Sequence, residues 1–257
     1  MYVARTNSTN TLLKELLAKS EWPEGEEFLY AGYQTSGRGQ TGNGWESEEG
    51  KNLLCSILVE RQKTAPIKEE SPFYLNVTVS VAVHRLLSQE LMTKSQQLTV
   101  KWPNDLYWQD KKMAGILIEN AIIGNEVKYS IAGIGLNINQ TEWKSDAPNP
   151  VSLKQITGKE YNIDEQMKSL AHAIREVLSE PEEEVWAYYK THLYRKDGFW
   201  PFVEREVSIA PTTNAQANAD SQFMARIADI LLTGEMVLED PEGIRKKYHF
   251  KEIRFVV

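Results

Sequence analysis

Two stretches of this chain carry residues whose chemistry exceeds the needs of packing. The first is Lys101 to Asn120, KWPNDLYWQDKKMAGILIEN, where Lys101, Asn104, Asp105 and Lys112 fall on or beside two turns. Pro103 cannot donate to a central ladder, so Trp102 to Asp105 reads as a tight connection between two apolar runs, and Asp110 to Lys112 as a second turn. Gly115, inside the strand that follows, marks a bulge or a place where a ligand approaches the backbone. On spacing alone the same residues also make ordinary hairpin turns with a solvated lysine pair. The second stretch is Gln34 to Gly50, QTSGRGQTGNGWESEEG, with glycines at 37, 39, 42, 44 and 50 and one large apolar residue, Trp45. Its backbone N–H groups can converge on an anion, and Arg38 adds a planar fork for phosphate or carboxylate. It is equally readable as a plain flexible loop. It is neither a Walker loop nor part of a dinucleotide fold, because the required glycine spacings are absent. With so few apolar contacts, the loop is expected to be mobile when empty.

Two smaller clusters accompany these. Ser8-Thr9-Asn10 precedes Leu12, Leu13, Leu16 and Leu17, the spacing of an amphipathic helix with a polar cap, and capping alone would explain them. Gly133 and Gly135 in IAGIGLNIN interrupt a strand, which costs stability unless a ligand or a close strand crossing needs the room.

The elements that position these residues follow from periodicity. Strands are expected over Phe28 to Tyr33 and Lys51 to Glu60. A helix introduced by Ser71-Pro72 carries Leu75, Val79, Ala82, Val83 and Leu86. An antiparallel meander follows: Leu98 to Trp102, Leu106 to Gln109, Met113 to Ile123 and Glu126 to Ile138, the last two joined at Gly124-Asn125. A helix capped by Asn162 and Glu165 ends at Pro181, and a second helix continues through Leu193. From about Val203 the pattern changes to short strands, Val207 to Ala210, Phe223 to Leu232, Glu235 to Leu238, Lys247 to Phe250 and Ile253 to Val257, as in a small barrel.

Composition narrows the function classes. The 257 residues carry a net charge of -7, which opposes a nucleic-acid surface, and no run of apolar residues suits a membrane span or a signal peptide. A cytoplasmic location is therefore expected. The single cysteine, Cys55, lies in an apolar run and reads as a small core residue, and the four histidines lack metal-ligand spacing.

The motifs KWPNDL, then KMAGIL with a Glu soon after, GRGQTGNGW preceded by Gln34, and the GxGxN of Gly133 to Asn137 resemble those of biotin protein ligases, in that family's order, over nearly the whole chain from Ser8. The resemblance implies an α+β fold: a mixed or antiparallel sheet with flanking helices, class II synthetase-like, over residues 1–200, and a small C-terminal SH3-like barrel over 203–257. It implies that ATP and biotin form biotinyl-5'-AMP with Mg2+ in attendance, and that the acyl group passes to a lysine of a biotin carboxyl carrier protein. By motif match Lys112 and Arg38 fall in the catalytic places. Ser8, Thr9, Gln34, Gly37, Gly115 and Gly133 join them around biotin, and Gln40, Trp45, Asn104, Asp105 and Asn137 join them around the nucleotide. Asp105 falls near the point where the incoming amine loses its proton, and its role as a base stays open. No metal ligands are assigned.

Gln40 departs from the family, many of whose members carry Arg or Lys there, which bears on how tightly the adenylate is retained. The nearest alternative is a lipoate ligase, disfavoured because GRGQTGNGW is not that family's glycine motif. A non-enzymatic nucleic-acid-binding module is the alternative from another class. The catalytic-type sequence begins at residue 8, so an N-terminal DNA-binding domain and a repressor role are not expected. An exposed edge strand is expected to serve pairing with a second copy, as a homodimer, or with the carrier.

Overall fold

The computed structural model describes residues 1–40, 43–60, 73–124, 126–145, 147–205 and 221–256; Gly42, Ser71-Pro72, Asn125 and the expected strand Val207 to Ala210 lie outside them. Its larger unit is a seven-stranded mixed sheet in the order β1-β2-β3-β7-β6-β5-β4. The strands are β1 (Tyr2–Thr6), β2 (Phe28–Gln34), β3 (Leu53–Glu60), β4 (Leu98–Lys101), β5 (Asp105–Trp108), β6 (Lys111–Ile123) and β7 (Glu126–Leu136). The expected meander is β4 to β7. The unexpected strand is β1, which runs parallel to β2 through Tyr2↔Tyr30 and Arg5↔Tyr33. Only five residues long and mostly exposed, it shows little of the apolar alternation that announces a strand.

Alternation across β3, β6 and β7 splits the sheet into two faces. Cys55, Ile57, Ala114, Ile116, Ile134 and Leu136 point into one large core, closed by α2 (Tyr74–Leu91) and α4 (Ile163–Ser179). Leu58 and Ile131 point the other way, into a small cluster with Leu13 of α1 (Thr9–Ala18) and Leu29. The Cys55 thiol is fully buried in the large core, and burial pushes its pKa up, so it packs as a hydrophobe.

Capping is mixed. Asn162 accepts from the N–H of Glu165 at 3.1 Å, as expected. The short helix α3 (Leu153–Thr157) is held by a full capping box between Ser152 and Gln155, within SLKQ, and ends in a left-handed Gly158. Ser8 sits at the N-cap of α1 but its side chain makes no cap hydrogen bond, so the capping role expected of it is not played.

After α5 (Glu182–Thr191), a five-stranded antiparallel sheet forms from β8 (Trp200–Glu204), β9 (Ser221–Ile230), β10 (Met236–Glu239), β11 (Arg245–Tyr248) and β12 (Ile253–Phe255), in the order β11-β10-β9-β8-β12. It packs against the KWPND turn: the Trp102 indole donates to the Gly234 carbonyl at 3.0 Å and its ring lies 5.9 Å from that of Phe250. No helix among the described residues is long and apolar enough to cross a membrane.

Candidate active site

A cavity of about 130 Å³ opens on the α1 face of the sheet, and the separate sequence clusters meet there. Ser8, Thr9 and Gln34 line one part, Arg38, Gln40 and Trp45 come from the glycine-rich loop, and Asp105, Lys112, Gly115 and Gly133 come from the meander.

Lys112 reaches this cavity because of a bulge. β5 and β6 pair as Leu106↔Ala114 and then Tyr107↔Lys112, which leaves Met113 as the extra residue. Met113 and Ala114 both enter the core, so Lys112 and Gly115 emerge on the same side despite the odd spacing between them. Lys111 is exposed. The Lys112 backbone is pinned by Asn149, whose carbonyl accepts its N–H at 2.8 Å, and by Val151, whose N–H donates to its carbonyl at 2.9 Å. Its ammonium lies 2.6 Å from the Asp105 carboxylate and 5.8 Å from the centre of a Trp45 ring.

The glycine-rich loop folds back on itself as a short ladder. Gly39 donates to Asn43 and Trp45 to Gly37, each at 2.8 Å, with Arg38 bridged to Gly44. Trp45 then lies over the sheet, where a Cβ on Gly135 would sit 2.4 Å from the indole and one on Gly115 would sit 3.0 Å from it. The expected ligand approach at these glycines is thus, in the first place, an approach by the chain's own tryptophan. Glu46 ties down the far side, accepting from the backbone N–H groups of Lys144 at 2.7 Å and Ser145 at 2.8 Å. Burial works to raise the Glu46 pKa, but these hydrogen bonds outweigh it and hold the carboxyl below its usual value. The described part of the loop is held by the indole seat and the Glu46 clasp, long-range contacts that composition does not reveal.

At the other end Gln34 accepts from the Thr9 backbone N–H at 2.7 Å and from its hydroxyl at 3.1 Å, which fixes the start of α1. Asn10, absent from the expected site, also lines the cavity: its amide oxygen accepts from Ser56 at 2.6 Å, and it fills the space that a Cβ on Gly133 would take. Glu119 accepts from Asn10 at 2.8 Å, Lys14 at 2.7 Å and Arg38 at 3.0 Å. Its only signal in the sequence is its place after KMAGIL, on the same strand face as Gly115.

Three expected site residues lie outside this cavity. Asn104 is buried and donates to Asn76 at 2.7 Å, lining instead a neighbouring cavity between the KWPND turn and the C-terminal sheet. Asn137 donates to the carbonyls of Lys112 at 3.4 Å and Val151 at 3.3 Å, so it braces the bulged strand from behind. Gly37 lies under the loop, where a Cβ would stand 2.4 Å from the Trp45 carbonyl oxygen. Lys101 borders the neighbouring cavity, over the rings of Tyr107 and Tyr194, and burial brings its pKa down to about 8.

Among the described residues no group of His, Cys, Asp or Glu is arranged to hold a metal ion. Asp105 and Glu119, the carboxylates that pair with the cavity cations, are engaged with Lys112 and Arg38.

The model of the biotin/lipoate A/B protein ligase family matches residues 2–137. A bifunctional ligase/repressor, BirA, of Bacillus spizizenii is 30% identical over 240 residues, which span 90% of this chain and 67% of that protein. A biotin–[acetyl-CoA-carboxylase] ligase of Paracoccus denitrificans is 29% identical over 175 residues, 66% of this chain and 69% of its own. Among solved structures, a biotin protein ligase from Aquifex aeolicus in complex with biotin and ATP superposes with a TM-score of 0.75 at 23% identity, covering 100% of this chain and 98% of that one; this likeness is one of fold.

Proposed function

The chain belongs to the biotin/lipoate A/B protein ligase family, and from that premise we propose how its residues divide the work of an ATP-dependent biotin protein ligase. It is an enzyme whose substrates are biotin and ATP. The observation that carries the division of roles is the make-up of the cavity: its lining divides between two cations, Lys112 and Arg38, and the neutral donors and acceptors of Ser8, Thr9 and Gln34. A ligand with one anionic end and one neutral hydrogen-bonding end fits that division. Biotin has a carboxylate at one end and a ureido ring at the other.

In the first step a carboxylate oxygen of biotin attacks the α-phosphorus of ATP, and the bond to the bridging oxygen of pyrophosphate breaks. Two anions must approach each other, so the barrier is largely electrostatic. Lys112 would lie between carboxylate and phosphate oxygens, exchanging its contact with Asp105 for them, while Arg38 would stabilise the phosphate. Trp45, clamped over the glycines, would keep water from the mixed anhydride. In the second step the amine of an acceptor lysine attacks the acyl carbon, AMP leaves, and the amine loses a proton. Asp105, released from Lys112, stands near enough to the cavity to receive it.

The acceptor is proposed to be a biotin carboxyl carrier protein. Mg2+ is proposed to accompany the phosphates of ATP, with the cavity carboxylates Asp105 and Glu119 paired to Lys112 and Arg38. A cytoplasmic location, expected from the sequence, suits an enzyme that consumes ATP. Asn104 and Asn137 retain a role only if the nucleotide extends beyond the cavity or Asn137 acts by bracing Lys112. ATP–pyrophosphate exchange measured with biotin and, separately, with lipoate tests the reading: exchange should depend on biotin, and exchange with lipoate alone would overturn it.

A further inference from the structure

We propose that Glu119 is the positioning residue for Arg38, holding the guanidinium in the cavity by one nitrogen so that the others face the nucleotide phosphate. The proposal rests on the adenylation reading above and adds to it a residue that touches no substrate. Arg38 donates to Glu119 through a single terminal nitrogen at 3.0 Å, a one-point contact that leaves the rest of its planar fork for a ligand. No other side-chain hydrogen bond to Arg38 is present among the described residues, and its backbone belongs to the narrow ladder of the glycine-rich loop. The orientation of the guanidinium therefore depends on Glu119.

Glu119 is itself fixed from two sides. It rises from β6, the strand that carries Lys112 and Gly115, and is gripped by Lys14 and Asn10 of α1. Burial works to raise its pKa, but the hydrogen bonds from Lys14 and Asn10 and the charges of Lys14 and Arg38 outweigh it and keep the carboxyl ionised. Both carboxylate oxygens accept from N–H donors. An amide in this place would have to turn an NH2 toward one of those donors. Asn10 loses less than Arg38 if Glu119 changes, because Ser56 and the Leu117 carbonyl also hold it. The consequence is a separable effect on the two substrates: ATP should be felt, biotin spared.

The test is a cycle of Glu119→Gln and Arg38→Ala, singly and together, read by biotin-dependent pyrophosphate exchange. Glu119→Gln should raise KM for ATP about fivefold, the scale of a partly exposed ion pair, with KM for biotin within about twofold. In the Arg38→Ala background the same change should add nothing. Glu119→Asp, which keeps the charge, should recover part of the loss, and remains a readable variant if the glutamine form does not fold. Equal rises for ATP and biotin, or an undiminished effect of Glu119→Gln without Arg38, would overturn the proposal. Absence of exchange in the unaltered protein would instead sink the adenylation reading, so the two failures are distinguishable.

Discussion

The central strands β6 and β7 present two opposite solutions on their two faces. On the α2 side Ala114, Ile116, Ile134 and Leu136 fill the space themselves, with none of them more than 4% exposed. On the α1 side Gly115, Gly133 and Gly135 leave space empty, and other elements refill it: Trp45 over the first and last, Asn10 over the middle one. One face is made of its own side chains and the other is a mould for groups brought in from elsewhere. That contrast predicts where a mutation will cost activity and where it will cost stability.

The sharpest break is expected at Lys112, the one cation that the bulge at Met113 turns into the mould. Removing a preorganised donor aimed at developing charge costs ~10²–10³ in rate, so Lys112→Ala should lose most biotin-dependent pyrophosphate exchange at an unchanged melting temperature. Lys111→Ala, one residue away and outside the cavity, should be mild. Similar losses in both variants would show that the bulge does not decide which lysine works.

The two faces separate in a matched pair on β7. Ile134→Ala empties the packed face and should cost about 2–5 kcal/mol of stability, readable in denaturant melts. Gly135→Ala adds a methyl against the Trp45 indole, where the nearest atom would be 2.4 Å away. The strand itself accepts alanine and the loop can shift, so displacement of Trp45 should appear as slower adenylation with a stability cost of about 1 kcal/mol, the low end for an added methyl. A destabilisation by Gly135→Ala as large as that by Ile134→Ala would erase the distinction.

How much of this was legible depends on the range of the interaction. Strand and helix periods, the Asn162 cap and the meander are local, and they could be read. The SLKQ capping box of α3 is local too and could have been read from its Ser-x-x-Gln spacing. The glycines announced that space was needed but not by what, because Asn10 and Trp45 come from distant segments. Gly115 suggested a bulge; the bulge lies at Met113, and only the register of β5 against β6 shows it. Glu119 was nearly silent, since a lone carboxylate in a strand becomes a hub only when Lys14, Asn10 and Arg38 are brought to it.

Behind the packed face lies a buried histidine whose titration bears on stability. His84 on α2 bonds Tyr188 at 3.0 Å and the Leu98 carbonyl at 3.1 Å, and burial lowers its pKa from 6.5 to about 4. It is neutral in the fold, whereas the unfolded chain takes up a proton below about pH 6.5, so stability is fully present above that value and falls with pH until about 4. At pH 5.5 the loss from this group is about 1.4 kcal/mol. Denaturant melts from pH 7.5 to 5 should show it, and a His84→Gln variant should have a flatter profile. An unchanged slope in that variant would remove His84 as the cause.

The smallest effect is expected at Gln40, on the loop that closes the mould. Its buried amide oxygen has no hydrogen-bond partner among the described residues, and its side chain lines the same cavity as Arg38. A cation there would reach the adenylate phosphate, but it would also enter beside Arg38 and Lys112, which among the described residues pair with Glu119 and Asp105. Part of the new attraction is cancelled by that repulsion. A half-exposed contact of this kind is worth about 1 kcal/mol, so Gln40→Arg should slow release of biotinyl-5'-AMP about fivefold rather than by the larger factor of a fully formed buried pair. The measurement is dissociation of isolated intermediate from the two proteins at two salt concentrations. The difference should shrink as salt rises, because the added contact is an exposed charge. Equal release rates at low salt would mean that the loop retains the adenylate through the Trp45 cover and the Arg38–Glu119 pair alone, with position 40 taking no part.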